Sequence, residues 1–367
     1  MGATLTDLKA SHATLRERLA GRLEGREENH ATSQKTGGTE PQSHRSRSGQ
    51  MKYTLLFLLT VLSVKYMSVQ VAGLVLLALA FLYYLLAMKP SDPYGTFHED
   101  LNRVGGNTGE RPSTEWLNMG YWEDTNEFPK ACEALALKLV HLANCQEGGS
   151  VLDVGHGSGD SLLLHLQHPT VPRPSQLTGI TSLLEHHKRA SERVDKAIKA
   201  NEQSGKHSPL VVLRQGDAVH RPSAGAQHPL APTNSESYTS ILALDCAYHF
   251  RTRETFLEQS FAHLAHGGTI ALADICFARE GHPLLRYIVS ALGVLPRENM
   301  ISPQEYIASM TKIGYTEISL EDITDSVLPG FQRFLSSRGI VWFLFSMSMG
   351  LVQGAGARFV LVKGRRP

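Results

Sequence analysis

The stretch VLDVGHGSGD, at positions 151–160, constrains this chain more than any other. An apolar run, SVLDV at 150–154, leads into Gly155, Gly157 and Gly159, and the apolar SLLLHL follows at 161–166. Glycine tolerates left-handed backbone and lets a ligand approach the main chain without a Cβ in the way. A helix that starts beyond such a turn offers free amides and the positive end of its dipole. The spacing does not suit a dinucleotide, because no glycine stands three residues after Gly157. Asp153 would also place negative charge where a pyrophosphate must lie. A cationic ligand suits that acid better.

The rest of the chain continues the strand-then-helix alternation. QLTGI (176–180), LVVLRQ (210–215), YTSILAL (238–244) and TIALADI (269–275) read as strands. Ser182–Ala200 and Thr255–His266 carry apolar residues at helical spacing, the second ending at Gly267-Gly268. A helix at 303–313, a strand at 315–320, a long insert and a strand at 358–364 complete the pattern. Alternation of this kind predicts a mostly parallel, seven-stranded α/β sheet with helices on both faces.

The N-terminal quarter has a different texture. Residues 1–50 are polar and too poor in apolar side chains to offset their ordering entropy, so a disordered tail is expected there. From Tyr53 to Met88 the only charge is Lys65, and Tyr66–Met88 is 23 residues without any. At 1.5 Å per residue that segment reaches roughly 34 Å, enough to cross a hydrocarbon core of about 30 Å. Residues 51–90 are therefore expected to anchor the chain in a membrane, as one crossing or as a hairpin near Gln70–Gly73. A soluble domain follows at 91–367.

Composition excludes several classes. The 367-residue chain has a formal charge of +1, which removes the electrostatic case for a general nucleic-acid binder. Four scattered cysteines without a CxxC pair suit a reducing compartment, and no HExxH pattern suggests a metal centre. An intracellular membrane, with the domain in the cytosol, fits these features.

VLDVGHGSG resembles the first motif of class I S-adenosylmethionine-dependent methyltransferases, which share a Rossmann-like fold. Five further segments follow that family's order. LTGIT (177–181), RQGDA (214–218), ILALDCAYHF (241–250) and LAHGGTIALADI (264–275) are similar to its second to fifth strands and their turns. Upstream, NMGYW (118–122) is similar to a segment of the branch that methylates lipids, sterols, sugars and small natural products. The family's proline before the paired glycines is His266 here.

The resemblance implies S-adenosylmethionine as cofactor. Gly155, Gly157 and Gly159 would run beneath its methionine part, with Asp153 ordering the loop. Asp217 and the Ala218 amide would hold the adenine. Thr181 and Ser182 stand where the family usually has an acid for the ribose. Asp245 would assist at the amino group, and Tyr121 and Trp122 would close over the cofactor.

Methyl transfer is direct displacement, so alignment and exclusion of water dominate the enzyme's task. An oxygen or carbon acceptor also needs a base. Tyr248 and His249, after the fourth strand, occupy the place where sugar O-methyltransferases of this branch carry a histidine pair. His249 is thus the favoured base, with Asp274 supporting it. His186 and His187 read as part of a solvated helix face. The insert at about 321–356 is expected to form a lid, and its 13 uncharged residues at 340–352 suit a core helix or one lying in a bilayer interface. The acceptor is expected to be a small, lipophilic molecule. An inactive cofactor-binding scaffold is the alternative, opposed by the intact glycines, Asp217 and the Tyr-His pair.

Overall fold

A computed structural model describes residues 100–103, 112–225, 227–292 and 295–367. The expected tail at 1–50 and the anchoring segment at 51–90 lie outside the described residues. Among the described residues, no helix is long and apolar enough to cross a membrane.

A seven-stranded sheet organises the domain, in the order β3-β2-β1-β4-β5-β7-β6. Its strands are β1 (Ser150–Val154), β2 (Gln176–Thr181), β3 (Leu210–Gln215), β4 (Tyr238–Leu244), β5 (Leu264–Phe277), β6 (Thr316–Asp322) and β7 (Ala357–Arg365). Only β7 runs against the others. The central strands are buried on both sides, which is why β1 and β5 read as near-continuous apolar runs rather than alternating ones.

The helices are α1 (Phe128–Leu142), α2 (Asp160–Gln167), α3 (Leu184–Gln203), α4 (Arg253–His263), α5 (Pro283–Leu292), α6 (Pro303–Ile313), α7 (Thr324–Ser336) and α8 (Ile340–Gly354). They cover both faces. Phe128, Leu135, Leu139, Leu162, Val194 and Phe331 belong to one core, and Phe256, Leu257, Tyr306 and Met310 to the other. In α1 the buried residues Phe128, Ala131, Cys132, Leu135, Ala136, Leu139 and Val140 form one stripe at helical spacing.

Most expected elements appear within a few residues of their predicted ends. The helix foreseen over Thr255–His266 starts two residues earlier, where Thr252 caps it by accepting from the Thr255 amide, and stops at His263. Leu264–Gly268 joins β5 instead. The insert resolves into α7 and α8, and α5 had no expectation attached.

The order reverses between β1 and β4. Open parallel sheets bind ligands in the crevice at such a reversal, beyond the carboxyl ends of the strands. Every candidate residue on β1, β2, β3, β4 and the turns after them sits at that end.

Candidate active site

The glycine turn leaves β1 with Gly155, Gly157 and Gly159 all at positive φ, 80°, 55° and 95°. Space forbids side chains as well as conformation. A Cβ on Gly155 would lie 2.6 Å from the Cys246 Sγ, and one on Gly157 would lie 2.5 Å from Leu117. The Gly155 amide donates to the Ile180 carbonyl at 2.8 Å, tying the turn to β2.

A second clamp holds the far end of the turn. Asp160, in the first turn of α2, receives both guanidinium nitrogens of Arg193 at 2.6 and 2.7 Å. Arg193 also donates to the Ser158 carbonyl at 2.8 Å, and the Glu115 amide donates to Asp160 at 3.1 Å. Glu115 in turn pairs with Arg189 at 3.0 Å. This clamp was missed at the sequence level: Asp160 lies inside the diagnostic stretch, but only the fold brings Arg193 to it.

Two acids stand at the crevice with oxygens left over. Asp153 is buried and its Oδ2 has no hydrogen-bond partner among the described residues. Burial pushes its pKa up to about 6, partly opposed by a bond from Ser161. Asp245 directly follows β4 with φ at 54°, a conformation that non-glycine residues rarely adopt. Its Oδ2 accepts the Met119 amide at 2.7 Å, while its buried Oδ1 has no partner among the described residues. Burial raises Asp245 to about 8, against the lowering effect of the Met119 amide and Tyr248. A cationic ligand beside such a buried acid favours its ionised form and meets the unsatisfied oxygen.

Beyond β2 and β3 the expected contacts are placed at the same rim. Thr181 is buried and Ser182 exposed. Asp217 is exposed, with its Oδ1 accepting the Val219 amide at 3.0 Å, and Ala218 is buried behind it. His228 holds that corner. Its Nδ1 accepts the Leu230 amide at 3.0 Å, so its Nε2 carries the proton and donates to the Asp217 carbonyl at 2.8 Å.

The aromatic pair has other neighbours. Lys138 sits 4.2 Å above the Tyr121 ring. The Trp122 indole donates to the Met119 carbonyl at 2.7 Å and packs against Phe128, Phe331 and Phe334, the last at 5.3 Å between centroids. This segment meets the glycine turn through Leu117 and Asp245 through Met119, neither singled out by the sequence. His186 corrects another expectation: it is buried, not on a solvated face. With His187 it disfavours charge on His156, whose burial lowers its pKa to about 3.

Tyr248 and His249 lie in a short turn, Ala247–His249, with ring centroids 4.2 Å apart. Tyr248 is buried and His249 exposed at the crevice rim. Asp274 is wholly buried. It pairs with Arg253 at 2.7 Å, accepts from the Tyr306 hydroxyl at 2.9 Å and from the Ile275 amide at 2.8 Å. It reaches the turn at one remove. Arg253 donates to the Asn299 carbonyl at 2.8 Å, and the Asn299 amide group donates to the carbonyls of Tyr248 and Phe250 at 3.0 and 2.7 Å. Asp274 is thus a positioning residue for the His249 turn, and Asn299 and Arg253 complete a network that sequence reasoning did not find.

No protein-family model matches the chain. It is 25% identical over 222 residues to erythromycin 3''-O-methyltransferase of Saccharopolyspora erythraea, a match covering 58% of this chain and 66% of that enzyme, just under two-thirds of its length. It is 22% identical over 271 residues to methyltransferase GfsG of Streptomyces halstedii, covering 69% and 89%. Among solved structures, cyclopropane synthase MmaA2 of Mycobacterium tuberculosis superposes with a TM-score of 0.53 at 12% identity, covering 69% of this chain and 90% of that one. Geranyl diphosphate methyltransferase in complex with S-adenosylmethionine gives 0.51 at 16%, covering 68% and 94%. In sequence the chain is similar to these methyltransferases, and in fold to the class I S-adenosylmethionine-dependent ones.

Proposed function

We propose that this protein methylates a hydroxyl of a small, lipophilic molecule at an intracellular membrane, with S-adenosylmethionine as donor. One observation carries the reading. Two acids with unsatisfied buried oxygens, Asp153 and Asp245, flank a glycine turn too crowded for any Cβ, at the point where the strand order reverses. The ammonium and sulfonium charges of the cofactor suit those oxygens. When bound, it supplies an electrophilic methyl group.

The chain's own residues divide the work. Gly155, Gly157 and Gly159 let the main chain come close, and Asp160 with Arg193 keeps their turn in shape. Thr181 and Ser182 would hold the ribose, and Asp217 with the Ala218 amide the adenine. His249 takes the acceptor's proton on a ring nitrogen, a role that imidazole fills near neutral pH without large tuning. Asp274, through Arg253 and Asn299, fixes where that ring stands. Tyr121 and Trp122 brace the wall between the glycine turn and α7, excluding water.

The hydroxyl acceptor is supported by the exposed His249 and by the O-methyltransferase relative. The membrane is supported by the charge-free run at 66–88, and a cytosolic domain by its four free cysteines. Untargeted mass spectrometry of membrane-lipid extracts, incubated with the enzyme and isotope-labelled S-adenosylmethionine, tests the whole reading. A labelled product from the lipophilic fraction is expected. Label appearing only in water-soluble amines would overturn the acceptor class, and no labelled product from any fraction would favour an inactive scaffold.

A further inference from the structure

Helix α8 is apolar almost all round, on the face that meets the core and on the face that does not. Trp342, Met349 and Val352 pack against the core beside the buried Ser346, while Ile340, Met347 and Leu351 on the other side are 70%, 58% and 53% exposed. Val341, Phe343, Leu344 and Phe345 are exposed too. At 3.6 residues per turn these seven side chains sweep an arc of roughly 200°. A helix resting on a soluble domain ordinarily carries polar residues on the side away from the core.

The polar groups of α8 find their partners within the protein. Ser346 donates to the Gln332 carbonyl at 3.1 Å and accepts from Ser336 at 3.1 Å, both on α7. Gln353 accepts from Gln332 at 2.9 Å. Ser348, on the outer side, donates to the Phe345 carbonyl of its own helix at 2.7 Å. The helix carries no charge, and these side chains are satisfied without solvent, as an environment lacking hydrogen-bonding partners demands. Helix α5 packs beside α8, bringing Leu285 against Gly354, and adds exposed Leu284 and Tyr287 to the patch.

We infer that the outer face of α8, with Leu284 and Tyr287 of α5, is a membrane-docking surface that sits in the interfacial layer of a lipid bilayer. At 15 residues α8 is about 22 Å long, too short to cross, so it lies in the plane of the membrane surface. An apolar arc of that width is convex and suits a fluid solvent of acyl chains better than a flat protein partner. The charge-free segment 66–88 ends twelve residues before Asp100, which keeps the domain within reach of the surface. The docked helix is one layer from the site: α8 bonds to α7, and α7 packs Phe331 and Phe334 on Trp122. The inference deepens the membrane reading proposed above and rests on it.

The test uses the full chain in phosphatidylcholine vesicles. Met347→Cys carries an environment-sensitive fluorophore on the outer face of α8, and Glu202→Cys carries the same label at the exposed end of α3. Wild-type protein put through the same labelling gives the background from the native cysteines. The label at 347 should shift to the blue and lose most of its emission when lipids bearing shallow nitroxide quenchers are included, while the label at 202 should do neither. Adding Leu344→Glu to the Met347→Cys chain should abolish the quenching without releasing the chain from vesicles. A label at 347 as wet as that at 202, in a chain that floats with the vesicles, overturns the docking surface and leaves the anchor standing. A blue shift without quenching also overturns it, because protein then covers the face. A chain that does not float at all refutes the anchor and the docking surface together.

Discussion

The two edges of the sheet obey opposite rules. On the β1–β4 side, acids gather at the strand ends: Asp160 held by Arg193, the exposed Asp217 bonded to its own loop, and Asp153 and Asp245 with oxygens to spare. On the β5–β7 side, beyond the buried Arg253–Asp274 pair, α8 packs Ser346 inward with Trp342, Met349 and Val352 and turns seven apolar residues outward. Under the proposed function the first region would grip a charged ligand the same way each time. The second is shaped by its surroundings. On that same proposal the acceptor would enter from the apolar side while the donor is fixed from the polar side.

The harshest way to break the contrast is to fill the glycine turn. Gly157→Arg should abolish cofactor binding, because even a Cβ there meets Leu117 at 2.5 Å. Calorimetry showing unchanged affinity would remove the gripping role from this region altogether. Next in size is His249→Ala, which should slow turnover on a hydroxyl acceptor by about 10²–10⁴-fold, the usual range for a general base. Cofactor affinity should hardly move. Full turnover across pH 6–9 would reduce His249 to a structural residue.

The buried pair that joins the two regions tests stability. Arg253→Met strands the Asp274 carboxylate and should cost about 3–5 kcal/mol in denaturant unfolding. The double variant Arg253→Met with Asp274→Leu should recover part of that loss, since removing both charges leaves neither stranded. A double variant no better than the single one would show that the pair acts mainly through Asn299 and the 247–249 turn.

The smallest effect concerns pH. Asp245, at about 8, and Asp153, at about 6, sit above the ordinary carboxylate value of roughly 4. The folded state therefore holds protons that the unfolded state releases, and their contribution to stability is lost as pH climbs from about 4 through 6 and 8. A cation bound beside them favours the ionised form. Cofactor affinity should rise with pH between 6 and 8, by at most about tenfold per unit for each proton expelled. Asp245→Asn should flatten that slope. Equal binding heats in buffers of different ionisation enthalpy would disconnect both acids from the ligand.

The parts of this protein legible in one dimension are those written in adjacent residues. Strands β1, β3 and β4 and helix α6 end where their apolar runs and caps end, and the glycine turn announces itself because a tight reversal needs glycine whatever surrounds it. The order of motifs was enough for the class. Periodicity could not assign Arg193 to Asp160, 33 residues apart, or place Asn299 under the carbonyl of Tyr248, 51 residues away. Nor could it show that Asp274 serves Arg253 and Tyr306, or that His186 is buried. Those partners are chosen by which strand ends the sheet sets side by side. For α8 the composition alone allowed a core helix or an interfacial one. Only packing against α7 decided which face looks out, because a helix apolar almost all round can be read either way until a neighbour takes Ser346 and Gln353.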